Sequence, residues 1–287
     1  MTLTPTLTLV SAWTRAKEQL KAAGIEGPVI DARLLVEAAA EATRTDIVSD
    51  PKRPLTEAQI AVLDAYVARR IAREPISHIL GRKGFWKIML QVTPHVLTPR
   101  PDTETVVELV LRDIPEGAAI SILDLGVGSG AILLAILADR PAAKGLGVDV
   151  SEEALAVARD NAAQLGLASR TVLLRGDWTR GLADASFDLV VSNPPYIPSA
   201  EIETLEPEVR DHEPRLALDG GADGLEAYRV LAPQVLRVLK PGGRFAVEIG
   251  HDQSAAVQAL FRAAGAIEVT TAKDLANRDR VVSGRRG

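Results

Sequence analysis

Between Thr8 and about Arg73 apolar residues recur at helical spacing, and no stretch alternates as a half-buried strand does. Trp13, Ala16 and Leu20 fall on one helical face that stops at Gly24, a residue suited to the left-handed C′ position. Leu34, Leu35, Ala38, Ala39 and Ala42 make a second apolar stripe. A third helix opens on the capping-box sequence Thr56-Glu57-Ala58-Gln59 and carries its stripe through Ile60, Leu63, Val67 and Ile71. Pro75 ends it, which predicts a small helical bundle over residues 1–75. From Ile79 to Val96, β-prone residues punctuated by Gly81 and Gly84 predict a hairpin-like linker within residues 76–97. Thr98-Pro99-Arg100-Pro101-Asp102-Thr103-Glu104 then reads as a proline-stiffened entry into a helix over Val106–Leu111, with Asp102 or Thr103 as an ordinary cap.

From Ile120 the pattern changes to alternating strands and helices, which places residues 98–287 in one further domain. Ile120–Leu125, Gly145–Val150, Thr171–Leu174, Phe187–Val191 and Arg244–Ile249 read as five buried strands. Helices are expected at about 129–139, 151–165 and 224–239, the second capped by Ser151 with Glu152 and Glu153 in its first turn. Such alternation predicts an α/β fold with a doubly wound, mostly parallel sheet. Ala266–Thr271 and Arg280–Ser283 are too close in sequence for a crossover helix, so they complete a seven-stranded sheet as an antiparallel final pair.

Composition narrows the chemistry. At 287 residues, 47% hydrophobic and 25% charged, the chain is an ordinary globular one. The absence of cysteine excludes disulfides, thiolate metal sites and thiol nucleophiles. His78, His95, His212 and His251 have no metal-ligand spacing, so no metal is expected. Met1-Thr2-Leu3-Thr4-Pro5 lacks the features of a signal peptide, and the longest apolar run, Ala131 to Ala138, is far too short to span a bilayer. A cytoplasmic location without membrane attachment is the expectation. Charge is unevenly divided: residues 1–100 hold 14 Lys and Arg against 10 Asp and Glu, the remainder 19 against 28.

Two loops carry candidate chemistry. The strand Ile120–Leu125 runs into Asp124-Leu125-Gly126-Val127-Gly128-Ser129-Gly130, with a helix directly afterward. Glycines there let a ligand approach the backbone at a helix N-terminus, and this pattern is shared with dinucleotide sites. Asp149, ending the next strand, is placed for the two hydroxyls of a ribose. Asp124, ahead of the glycines, opposes a pyrophosphate but suits a ligand amino group. Gly176-Asp177-Trp178 offers a carboxylate for an adenine amino group and an indole to pack against its ring. Adenine, ribose and a cationic amino-acid tail together describe S-adenosyl-L-methionine (AdoMet), with S-adenosyl-L-homocysteine as product. The second loop is Ser192-Asn193-Pro194-Pro195-Tyr196, where a double proline stops the strand Phe187–Val191. It gathers a side-chain amide, backbone carbonyls and an aromatic ring, a set suited to a planar NH2 group.

Asp124-x-Gly126-x-Gly128-x-Gly130, Asp149, Asp177 and Asn193-Pro194-Pro195-Tyr196 resemble the motifs of class I AdoMet-dependent methyltransferases. With Arg73–Gly81, Pro99–Glu104 and Glu213–Leu218 they resemble, over nearly the whole chain, the HemK/PrmC family of protein-(glutamine-N5) methyltransferases. The chain departs from that family's usual residues at Val127, Thr98 and His212, where Thr, Ile and Phe are frequent. The resemblance implies a Rossmann-like catalytic domain behind a helical substrate-docking domain, and methylation of the glutamine in the Gly-Gly-Gln motif of class 1 peptide chain release factors, which modulates translation termination. It implies cofactor contacts from Gly126, Val127, Gly128, Ser129, Gly130, Asp149, Asp177, Trp178 and Asn193. Substrate contacts would come from Asn193, Pro194, Pro195 and Tyr196, with the Asn193 side-chain oxygen and the Pro194 carbonyl accepting the amide N–H bonds and Tyr196 stacking on the amide plane.

The same loop type acts on exocyclic amines of DNA and rRNA, so charge enters the choice. Residues 201–226 hold nine acids against Arg210 and Arg215, which disfavours a phosphate backbone and stable nucleic-acid binding. Arg69, Arg70, Arg73, Arg82, Lys83 and Lys87 face the single acid Glu74 along residues 69–87, a candidate docking surface for the release factor. A monomer is expected. A ribosomal-protein glutamine or a nucleic-acid amine is the alternative substrate, and an AdoMet-binding adaptor without activity the third reading. The contributions of Thr98, Arg100 and Glu104 near the cofactor are open at this point.

Overall fold

The computed structural model describes residues 7–287, so the segment Met1-Thr2-Leu3-Thr4-Pro5 lies outside the described residues. The chain divides into two compact units: residues 1–81 with 207–212, and residues 82–206 with 213–287.

The first unit is helical, with α1 (Leu9–Ala22), α2 (Pro28–Ala39), α3 (Arg44–Ser49), α4 (Glu57–Ile71) and α5 (Ile76–Leu80). Each of α1, α3 and α4 begins with a reciprocal capping box, at Thr8/Ser11, Thr43/Asp46 and Thr56/Gln59. These satisfy N–H groups that a helix start otherwise leaves without partners. Leu9, Ala12, Ala16 and Leu20 of α1 pack with Leu35, Val36, Leu63 and Val67. Trp13 sits at the rim of that core, where its indole donates to the Val29 carbonyl at 3.1 Å. Gly24, at φ +70°, stops α1 as expected. Ile76–Leu80 is helical, not part of a hairpin, and the following hairpin is confined to β1 (Arg82–Phe85) and β2 (Ile88–Gln91).

The basic run at the end of this unit is organised differently from its linear appearance. Arg70 is buried and pairs with Asp31 at 2.7 Å and Glu208 at 2.8 Å. Arg73 reaches Glu208 at 3.4 Å, Arg69 binds Glu74, and Lys87, in the second unit, binds Asp139 at 2.8 Å. Acids distant in sequence thus neutralise three of the six cations, and Glu74 within the run neutralises a fourth. The expected docking surface at residues 69–87 therefore loses its charge argument, although Arg82 is exposed.

The second unit continues with α6 (Glu104–Asp113), β3 (Ser121–Leu125), α7 (Ala131–Asp139), β4 (Lys144–Asp149), α8 (Glu152–Gln164), β5 (Thr171–Arg175) and β6 (Phe187–Ser192). The short helix α9 (Pro207–Arg210) belongs to the first unit. Then come α10 (Glu226–Val238), β7 (Leu239–Glu248), α11 (Ser254–Ala263), β8 (Ala266–Lys273) and β9 (Asp279–Arg286). The seven strands lie in the order β5-β4-β3-β6-β7-β9-β8. β9 is antiparallel to β7 and β8, and the other pairs are parallel.

Side chains alternate across this sheet as period two requires. Ile122, Leu189, Val191, Ala246 and Val281 enter one core with α6 and α7, whereas Leu123, Val190, Phe245, Val247 and Val282 enter the other with α10 and α11. Phe245 stacks on Phe261 of α11 with ring centroids 4.1 Å apart. One strand departs from the sequence reading: β5 is an edge strand, and Val172 is 64% exposed. No helix among the described residues is long and apolar enough to cross a membrane.

Candidate active site

Strand order places the two candidate loops together. The chain runs outward from β3 through β4 to β5, then returns to the opposite side of β3 as β6. A crevice opens at the C-terminal ends of strands where the winding reverses. Leu125 and Ser192, the residues immediately before the two loops, are register partners on adjacent parallel strands. The Ser192 hydroxyl also donates to the Leu125 carbonyl at 2.6 Å.

The cleft there is lined by Asp124, Gly126, Val127, Gly128, Ser129, Asp149, Gly176, Trp178, Asn193 and Pro195, among others. Gly126, Gly128 and Gly130 have φ of +72°, +51° and +85°, the left-handed region that a side chain disfavours. The Val148 carbonyl accepts both the Gly126 and Val127 N–H groups, which folds the turn over the end of β4. Val127 is buried beside Gly147, so this departure from the family is accommodated by packing. Asp149 accepts from the Gly128 N–H at 2.9 Å and the Ser151 N–H at 3.0 Å, which fixes its carboxylate toward the glycine loop.

Asp124 is fully buried, and burial pushes its pKa up to about 7 against the opposing Leu133 N–H bond. Its Oδ1 has no hydrogen-bond partner among the described residues. A buried carboxylate oxygen left in this way is costly unless a ligand donor meets it. The observation fits the cationic amino group of AdoMet, with Asp149 for the ribose and Trp178 beside the glycines.

Not every expected residue lines the cleft. Gly176 and Trp178 do, but Asp177 between them is exposed and is not among the lining residues. Pro194 is buried, and Tyr196 lies beside the core formed with α10 and α11. The Tyr196 hydroxyl has a partner in Glu248 Oε1 at 3.4 Å, and burial raises its pKa well above the ordinary value. Its backbone carbonyl accepts from Gln253 at 2.9 Å, and Ile197 is bridged to Asp219 in the following loop. Asn193 reaches back to α6, donating its side-chain N–H to the Thr103 hydroxyl at 3.3 Å.

Several supporting residues had no role assigned from the sequence. Asn161 accepts from the Gln91 N–H at 2.7 Å and donates to the Gln91 and Ser129 carbonyls, tying the hairpin to the glycine loop. Arg100 binds Glu213 at 2.6 Å, and Thr98 also hydrogen-bonds Glu213, whose pKa burial raises. Glu104 accepts from the Trp86 N–H at 2.9 Å and so holds the hairpin turn. The acidic loop is largely paired as well: Glu203 and Asp219 with Arg215, Asp211 with Arg210, and Asp223 with Arg229. The contrast in linear charge therefore overstates the negative field at the cleft. Among the described residues no cluster of His, Cys, Asp or Glu suits a metal ion.

Residues 11–81 match a family described as the PrmC N-terminal domain, and residues 116–278 match a methyltransferase domain. A release factor glutamine methyltransferase of Caulobacter vibrioides is 70% identical over 97% of this chain and 96% of the relative. One of Rhodospirillum rubrum is 48% identical over 95% of this chain and 83% of the relative. A crystal structure of a methyltransferase from Pyrococcus furiosus shares the fold, with a TM-score of 0.54 at 19% identity, covering 77% of this chain and 97% of that one.

Proposed function

Since the chain belongs to the release factor glutamine methyltransferase family, we propose that it methylates the side-chain amide nitrogen of the Gly-Gly-Gln glutamine in class 1 release factors. When bound, AdoMet supplies an activated methyl group and leaves as S-adenosyl-L-homocysteine. The observation that carries the reading is the register of Leu125 with Ser192, which puts the glycine loop and the loop at Asn193 and Pro195 on one cleft.

Asp124 would receive the amino group, Asp149 the ribose, and the backbone from Gly126 to Gly130 the adjoining chain of the cofactor. An amide nitrogen is a weak nucleophile because its lone pair is delocalised into the carbonyl. Asn193 Oδ1 and the Pro194 carbonyl would accept its two N–H bonds, hold the nitrogen in line and favour its pyramidalisation. Most of the acceleration then comes from position and fixed dipoles. No strong base is needed, because the nitrogen becomes acidic only as it is alkylated. Tyr196 borders the same loop and would pack against the amide plane.

Every residue lining the cleft lies in the second unit. The helical first unit is accordingly proposed to recognise the body of the release factor, within a monomeric cytoplasmic enzyme that forms no stable nucleic-acid complex. Labelled AdoMet supplied with separate pools of release factor, ribosomal protein and RNA tests the substrate; transfer confined to another pool would redirect the assignment. Asn193→Ala should preserve AdoMet affinity in calorimetry while lowering turnover by about 100-fold or more. A loss below about tenfold would make Asn193 a turn residue only.

A further inference from the structure

The residue before α6 was expected to be an ordinary cap, yet Thr103 makes no side-chain cap bond to that helix. It is 3% exposed, and its hydroxyl faces two groups. One is the Asn193 side-chain N–H at 3.3 Å, and the other is the nearby carboxylate of Glu248, at the end of β7, whose Oε2 has no hydrogen-bond partner among the described residues. Glu248 is 1% exposed and also meets the Tyr196 hydroxyl at 3.4 Å. It therefore touches, directly or through one hydroxyl, both polar side chains of the Asn193–Tyr196 loop.

We propose that Thr103 and Glu248 are positioning residues that set which end of the Asn193 amide faces the cleft. The inference rests on the proposed role of Asn193. An ionised carboxylate only accepts hydrogen bonds, and a threonine hydroxyl has a single hydrogen. With that hydrogen directed to Glu248, Thr103 can offer Asn193 only lone pairs. Asn193 must then give its NH2 group to Thr103, and its oxygen is left for the substrate. The reversed amide would present donors to a substrate NH2 group and repel it. Glu248 fixes Tyr196 by the same rule, since its hydroxyl has one hydrogen to donate.

Opposed influences act on the Glu248 carboxylate, and burial is the largest of them. Arg280 of β9 is buried nearby, held by Asp102 at 3.2 Å and Asp274 at 3.3 Å. Tyr228 of α10 donates to the Glu248 backbone carbonyl at 2.7 Å. Against the carboxylate stand its own burial and the charge of Asp102, which together bring its pKa up to about 7. The bonds to Asn193 and Tyr196 are long, as polar contacts frequently are before substrate tightens them.

The test compares Thr103→Val, which keeps the shape and removes the hydroxyl, with Thr103→Ser, which keeps the hydroxyl. Both are assayed in the full chain with labelled AdoMet and intact release factor. Thr103→Val should lower kcat by about 10- to 100-fold, the range for removing a supporting hydrogen bond, with AdoMet affinity unchanged. Thr103→Ser should recover most of that loss. In an Asn193→Ala background Thr103→Val should cost nothing further, because the effect passes through Asn193. Glu248→Gln, which can donate to Thr103 and so permit the reversed amide, should reproduce the kcat loss independently of how well the Val variant folds. Wild-type kcat in both Thr103→Val and Glu248→Gln, or the full Thr103→Val loss persisting without Asn193, would overturn the relay. If Asn193→Ala alone is fully active, the assignment of the amide site fails first, and the relay fails with it.

Discussion

Asp124 and Asp149 are proposed to divide the cofactor between them, Asp124 fully buried and Asp149 held by the Gly128 and Ser151 N–H groups. Asp124 titrates near 7 because burial penalises its charge, and a cationic amino group at Oδ1 would remove that penalty. AdoMet binding should then expel a proton below pH 7, and affinity should rise as pH increases from 6 to 8. Calorimetry in buffers of different ionisation enthalpy reads this directly, and Asp124→Asn should flatten the dependence. Without cofactor the sign for stability is opposite. A folded pKa raised from 3.8 to about 7 gives stability that is fully present below the unfolded value and lost as pH climbs through 7. Asp149→Ala should weaken AdoMet by about 1–3 kcal/mol, and unchanged affinity would put the ribose elsewhere. That Asp149 and Asn193 line the cleft was legible because one ends a strand and the other follows one, each within a recognisable run. Thr103 and Glu248 were not, since a lone hydroxyl and a lone acid acquire meaning only when β7 and the turn before α6 meet.

At the scale of elements, periodicity was informative wherever an element is long or buried on both faces. It predicted six of the seven sheet strands within a few residues of their bounds, β7 starting earlier through Lys240-Pro241-Gly242-Gly243. The six-residue α3 escaped it because only Ile47 there is buried. The ten residues of α11 bury only Val257 and Phe261 and have no side-chain cap, so the run from Ser254 carries neither a long buried stripe nor a start signal. β5 misled in the other direction: its aliphatic residues read as a core strand, but it closes the sheet at an edge. Asn161 illustrates what spacing cannot supply, because one amide on α8 holds both β2 and the glycine loop. Asn161→Ala leaves the buried Ser129 carbonyl and the two part-buried Gln91 backbone groups without that partner, at up to about 1–3 kcal/mol for a buried group left unsatisfied. The protein should melt earlier and bind AdoMet more weakly, while kcat at saturating cofactor stays near normal. An unaltered melting temperature and affinity would show that water replaces the amide without penalty.

For the whole molecule, charge was the least transferable reading, because linear counting ignores partners supplied from far along the chain. Arg70 is the clearest case. It was counted as part of a surface for another protein, yet its side chain is 8% exposed and sits between Asp31 and Glu208, themselves 16% and 18% exposed. The two acids respond differently to the shared guanidinium. Burial dominates at Asp31 and raises its pKa, whereas at Glu208 burial is outweighed by Arg70, a backbone N–H and Arg73 acting together, and the pKa is lowered. Removing the cation leaves both carboxylates in a confined space without their counter-charge, a change that typically costs about 3–5 kcal/mol in a buried pair. Arg70→Ala should therefore lower the denaturation midpoint of the full chain through the first unit, at any salt concentration. Arg82→Ala, on an exposed side chain, should leave that midpoint unchanged. A docking role for Arg70 predicts the reverse pattern: normal stability, a raised KM for intact release factor and a salt-sensitive defect. Denaturation followed together with kcat/KM on the release factor separates the two. If Arg70→Ala is as stable as the parent and fails only in substrate recognition, the internal triad is not what holds this part of the fold.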